Sequence, residues 1–210
     1  MQTRTLSSLL SFVLLLTGCA VGVTHQLDTA VPAVRTTGNQ NTFVVSTQDR
    51  RPYVLSGKKP ETFVGLSRGG FGNPFDVNTA SGNALATDIS KAIASALLTQ
   101  GVHVDIVVLS PRDSEPAALE KLSASKNKAV LVTISEWKSD TMYTVSLHYD
   151  LTVAIVGTDG RISARKRVFG SEEVTGSSWN PLEISRQAVP PALKRKLEEL
   201  LGAPEIVSEL

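Results

Sequence analysis

Residues 141–156 constrain the fold more than any other stretch of the chain. Tyr143, Val145, Leu147, Tyr149, Leu151, Val153 and Ile155 alternate with Thr144, Ser146, His148, Asp150 and Thr152. A side-chain period of two belongs to a β-strand. Apolar residues alternating with polar ones belong to an antiparallel sheet with one face on a core and the other in water. Asp159-Gly160 then supplies a hairpin turn, since its glycine accepts a positive φ, and residues 161–174 return as the partner strand.

The other elements are read around this hairpin. Residues 128–137 (KAVLVTISEW) are the most hydrophobic strand-sized run and are placed at the centre of the sheet. Residues 102–109 (VHVDIVVL) form another strand, with His103 as a half-exposed sheet residue near its start. Two short strands come first, at 42–46 and 62–66, separated by a turn around Asp49-Arg50-Arg51-Pro52. Between 83 and 100, Leu85, Ile89, Ala92, Ile93, Ala96 and Leu97 form one helical stripe, with Thr79 or Ser81 as cap and Gly101 as stop. A short helix opens at Asp113 or Ser114 and packs through Leu119 and Leu122. Asn180-Pro181-Leu182-Glu183 reads as an N-cap, a first-position proline and a capping-box glutamate. Pro190-Pro191 is expected to break that helix, a second one running from 191 to 201 until Gly202. The order β-β-α-β-α-β-β-β-α gives an α+β fold: a mixed, mostly antiparallel sheet with helices packed on one face. A single domain over 42–202 is expected, with 203–210 as a frayed tail.

Candidate chemistry is sparse. The loop at 67–77 is glycine-rich, but it lacks the Lys-Ser or Lys-Thr of a P-loop, and Gly69, Gly70 and Gly72 miss the dinucleotide spacing. It is expected to be a structured loop with Phe71 and Phe75 tucked into the domain edge. The alternative is a recognition loop presenting Arg68, Phe71 and Phe75 to a partner. Ser146, His148 and Asp150 share a strand face. Residues two apart there stand about 6.5–7 Å apart and project in parallel, so they do not make a catalytic triad. Glu172 and Glu173 are adjacent and point to opposite faces. Arg165, Lys166 and Arg167 are read as a solvated sheet surface, and His25 as a solvated linker residue without a second metal ligand. The reading is of a non-enzyme without metal or cofactor.

The N-terminus says where the chain resides. Arg4 precedes an apolar run of Leu9, Leu10, Phe12, Val13, Leu14, Leu15 and Leu16, too short to span a bilayer stably, and Thr17-Gly18-Cys19 follows. Cys19 is the only cysteine in 210 residues, so it cannot form an internal disulfide. Leu16-Thr17-Gly18-Cys19 resembles the lipobox of bacterial lipoproteins. The resemblance implies cleavage of residues 1–18, acylation of Cys19 and anchoring by several chains at roughly 0.8 kcal/mol per buried CH2. Ala20 at the following position resembles the outer-membrane sorting pattern. Residues 19–41 are then the lipidated N-terminus and a flexible tether. The formal net charge is +1, and loss of Arg4 brings it near zero, which argues against nucleic-acid binding.

In element order, residues 42–200 resemble the small proteobacterial lipoproteins of the YajG type, and the fold is similar to the N-terminal module of TolB-like periplasmic proteins. The resemblance implies a lipid-anchored, non-catalytic protein facing the periplasm from the outer membrane. It would bind or scaffold an envelope assembly, through the 67–77 loop or a sheet edge and with an envelope protein as partner. The alternatives are a carrier of a small lipid or glycan ligand, and a hydrolase.

Overall fold

The computed structural model describes residues 23–36 and 42–210. Leu16, Thr17, Gly18 and Cys19 lie outside the described residues. The strands are β1 (Thr24–His25), β2 (Thr42–Asp49), β3 (Phe63–Arg68), β4 (Pro74–Thr79), β5 (His103–Ile106), β6 (Lys128–Thr141), β7 (Val145–Val156) and β8 (Ile162–Val174). The helices are α1 (Pro52–Leu55), α2 (Leu85–Leu98), α3 (Glu115–Ser123), α4 (Pro181–Leu201) and α5 (Pro204–Val207).

All eight strands join one mixed sheet, and β6 organises it. On one side β6 pairs antiparallel with β7 along its whole length, and β7 pairs with β8 in turn. On the other side its first half pairs parallel with β2, from Phe43↔Lys128 to Asp49↔Ile134, and its last residues pair parallel with β3, from Gly65↔Ser139 to Ser67↔Thr141. β5 continues the sheet beyond β2, while β4 and β1 continue it beyond β3. This is the expected α+β class with a mixed, mostly antiparallel sheet.

The alternation of β7 turns into burial as read. Val145, Leu147, Leu151, Val153 and Ile155 are all at 1% exposure or less, and Ser146, His148, Asp150 and Thr152 are only half-buried. The apolar stripe of α2 is likewise buried, and with α4 it closes the main core over Val130, Val132, Ile134 and Trp137. The helices are not all on one face as expected: α3 lies on the opposite one, where Ala118 and Leu122 cover Val44, Ala129 and Leu131, the outward-alternating residues of β2 and β6, in a smaller cluster. The start of α2 is held differently from expectation. Its N-cap is Ala84, which makes no side-chain cap. Ser81 Oγ and Asn83 Nδ2 instead donate to Asp88 in the first turn, at 2.6 and 3.2 Å.

Three further expectations need correction. Pro190 and Pro191 do not break the C-terminal helix, and α4 runs through both. The carbonyls that lose their donors belong to Arg186 and Gln187, which are exposed and open to water, while Val189, Ala192, Leu193 and Leu197 are buried on either side. Burial on both flanks outweighs the local cost. Residues 203–210 are not frayed, because α5 buries Ile206 and the terminal Leu210. The expected tether is largely part of the fold: within 23–36, β1 pairs with β4, and Leu27, Ala30 and Val34 enter the main core.

Candidate functional site

The β3–β4 hairpin, read as the 67–77 loop, projects from one end of the sheet. Its turn closes through Gly69 N–H to Asn73 O and Gly72 N–H to Gly69 O, and Gly72 takes φ +81°. Phe71 and Phe75 are not tucked in: Phe71 is 99% exposed at the tip, and Phe75 is 61% exposed on β4. Arg68 is engaged within the fold. Its Nε and Nη2 donate to the Asp140 carboxylate at 2.7 and 2.6 Å, tying β3 to the end of β6. The same hydrogen bonds hold the Asp140 carboxyl below the usual carboxylate range.

Strand register shows what accompanies the hairpin. Ser67 lies opposite Thr141, Thr141 opposite Val145, and Val145 opposite Val174. The β3–β4 turn, the β6–β7 turn (142–144) and the β8–α4 loop (175–180) therefore leave the sheet at the same end. Tyr143 is 80% exposed on the second of these and Trp179 is 95% exposed on the third. The sequence reading placed Tyr143 in a buried strand face and passed over Trp179. Only the sheet register puts them at the same end of the sheet as Phe71.

β1 ties the N-terminal segment to this region. It runs parallel to β4, with Thr24↔Asn78 and His25↔Thr79, so its N-terminal side points the same way as Pro74 and the hairpin tip. His25, read as a solvated linker residue, is fully buried. Its Nε2 is 3.0 Å from Ser185 Oγ, and Thr141 Oγ1 donates to the same Ser185 oxygen at 3.1 Å. Burial, and then the charge of Arg186, push His25 down to about 4, so the ring is neutral at pH 7. A histidine beside a serine suggests a nucleophile and its base. Both are at 0% exposure, and His25 Nδ1 has no hydrogen-bond partner to orient the ring, so the pair serves to pin β1 to α4.

The remaining sequence candidates fall apart spatially, or into ion pairs. Asp150 accepts two bonds from Arg167, and Arg165 and Lys166 pair with Glu115 and Glu205. His103 is exposed beside Asp105 on the short edge strand β5. Glu172 accepts from Lys196 Nζ at 2.9 Å. A cleft of about 270 Å³ on the α3 face is lined by Gln48, Arg50, Glu115, Thr133 and Arg165. Ala118, Leu131 and Ala154 add an apolar floor, so the cleft is mixed in character rather than the deep apolar cavity between sheet and helices that a lipid carrier needs.

Sequence missed one further cluster. Arg51 and Asp49 are fully buried, with Arg51 Nε and Nη2 on the two carboxylate oxygens at 2.8 and 2.6 Å. The remaining guanidinium protons reach the carbonyls of Phe63, Trp137 and Glu61. This clamp joins β2, β3 and β6 and is structural.

Among the described residues no helix is long and apolar enough to cross a membrane, and no cluster of three or more His, Cys, Asp or Glu side chains could hold a metal ion. No family model and no curated protein matches the sequence. Among solved structures, the chain is similar to protein XCC0632 from Xanthomonas campestris, of family model DUF330, with 14% identity and TM-score 0.50 over 84% of this chain and 94% of that one. Weaker likenesses are to the PelC dodecamer from Paraburkholderia phytofirmans (12% identity, TM-score 0.40, 80% and 93% covered) and to lipoprotein GNA1162 from Neisseria meningitidis (13%, 0.29, 69% and 91%). At these identities the likeness to XCC0632 is one of fold alone.

Proposed function

We propose that this chain is a lipid-anchored, non-catalytic module of a bacterial cell envelope. It is held through acylated Cys19 at the periplasmic face of the outer membrane and presents a binding or scaffolding surface to an envelope assembly. The observation that supports this most is the position of β1. Residue 23 is already built into the fold, so only four steps of chain separate it from Cys19, a reach of about 14 Å. The module sits against its membrane in a restricted orientation. Its contact surface is the aromatic end that includes Phe71 and Phe75 on the β3–β4 hairpin. Arg68 braces the hairpin from behind. The open edge of β8, which pairs only with β7, offers a second place for a partner to add a strand.

The test is to label growing bacteria with an alkyne-bearing fatty acid, recover the native chain and a Cys19→Ser variant, and weigh the N-terminal peptide of each. Acyl mass on the native peptide at Cys19, absent from the variant, together with recovery in the outer-membrane density fraction, supports the reading. A native chain without acyl mass overturns it.

A further inference from the structure

We infer that the aromatic end of the fold docks on the lipid bilayer itself, with Phe71, Phe75, Tyr143 and Trp179 seated at the headgroup level. The inference rests on the anchoring of Cys19 and names the surface that this end touches.

Three independent observations converge on it. The first is side-chain chemistry. Phe71, Tyr143 and Trp179 are each at least 80% exposed, on three loops that leave the sheet together. Large aromatic side chains at that exposure gain little in water. At a membrane interface an apolar ring body is buried while a Tyr or Trp polar group stays wet.

The second is charge. In a chain that is 20% charged, the stretches 69–75, 142–144 and 175–180 contain no Asp, Glu, Lys, Arg or His. Of the ions that flank them, Arg68 pairs with Asp140 and Asp76 with Lys59, while Glu173, two residues before the third stretch, is exposed and already in water. The other end of the sheet is different, with Lys126 in the loop before β6, Lys128 at the first position of β6, and Asp159 and Arg161 in the β7–β8 turn. Moving the aromatic end into headgroups strips water from no unpaired charge on those loops.

The third is the attachment point. Thr24 pairs with Asn78, and Cys19 stands five residues before Thr24, just as Asn73 of the hairpin turn stands five before Asn78. Five residues reach about 17 Å, enough to bring Cys19 level with the hairpin tip. An exposed aromatic cluster alone would fit a protein partner equally well. A lipid attached within that reach of the same end favours the bilayer, because the acyl chains hold these loops at the membrane at high effective concentration.

Trp179 is a built-in reporter, since the other tryptophan, Trp137, is fully buried in the core. The lipidated chain is reconstituted into vesicles of phosphatidylethanolamine and phosphatidylglycerol, with or without phospholipid brominated near the headgroup end of the acyl chains. Flotation and the mass of the N-terminal peptide are recorded on the same sample. Docking predicts that the floating protein loses most of its Trp179 emission to bromine and that the remaining emission shifts to the blue. Trp179→Phe leaves only an unquenched Trp137 signal. A Phe71→Ala, Phe75→Ala, Tyr143→Ala variant still floats, with Trp179 quenching reduced severalfold. A native protein that floats with acyl mass present, but whose Trp179 emits as in water, overturns docking and leaves the anchor intact. Absence of both acyl mass and flotation overturns the anchor and the docking with it. Loss of a specific crosslinked envelope protein in the triple variant, with Trp179 still in water, assigns this end to a protein partner instead.

Discussion

Arg51 and Asp49 form a bidentate ion pair in which neither side chain is exposed to solvent. Two residues apart at the end of β2, they aim one guanidinium at carbonyls of β3 and β6. Removing one partner leaves the other charge buried without a counter-ion. Arg51→Met is therefore expected to destabilise the fold by about 3–5 kcal/mol, read as a lower urea midpoint. Arg51→Met combined with Asp49→Leu is expected to recover a large part of that loss.

His25 makes stability depend on pH. Its folded value, about 4, lies below the ordinary 6.5, so the unfolded chain binds the proton more readily. The contribution is fully present above pH 6.5 and is lost as pH falls from 6.5 towards 4. A full shift of this size corresponds to about 3 kcal/mol. Urea titrations between pH 4.5 and 7.5 are expected to show this slope in the native chain and a flatter profile in His25→Asn.

Gly65 is required where β3 meets β6. A β-carbon there would stand 2.0 Å from Ser139 Oγ and 2.8 Å from its carbonyl oxygen. Gly65→Ala is expected to cost about 1–3 kcal/mol through overpacking. Adding Ser139→Ala is expected to relieve only part of it, since the carbonyl remains. Thermal unfolding of the single and double variants measures both.

Pro191 offers a gain. It is exposed within α4 and denies a donor to the Gln187 carbonyl. Pro191→Ala restores that bond and removes no buried surface. An increase of about 1–3 kcal/mol is expected by urea unfolding.

The sequence carried those parts of the structure whose signals are local. The alternation of β7 and the stripe of α2 are periodic, and both ended buried as read. The pairing of Arg51 with carbonyls 10 to 86 residues away has no local trace, nor does His25 meeting Ser185 across 160 residues. Small polar residues at 23–36 look like a linker because the residues buried there, His25, Leu27, Ala30, Pro32 and Val34, are few, mostly small or polar, and follow no helical or strand run long enough to read. The proline pair was misjudged because propensity counts the lost hydrogen bonds and not the apolar residues packed on either side of them. Of the aromatic end, Arg68, Phe71 and Phe75 were legible as one loop. Tyr143 and Trp179 joined them only through strand register.

The bond between His25 and Ser185 also sets an order of assembly. The third residue of the described chain is completed by a residue in α4, 160 positions later, so no stretch synthesised early can finish this side of the core. β1 has its full set of neighbours only after α4 has been delivered. Folding then closes last beside the point where the N-terminal segment enters, and a chain truncated before residue 181 leaves its own beginning loose.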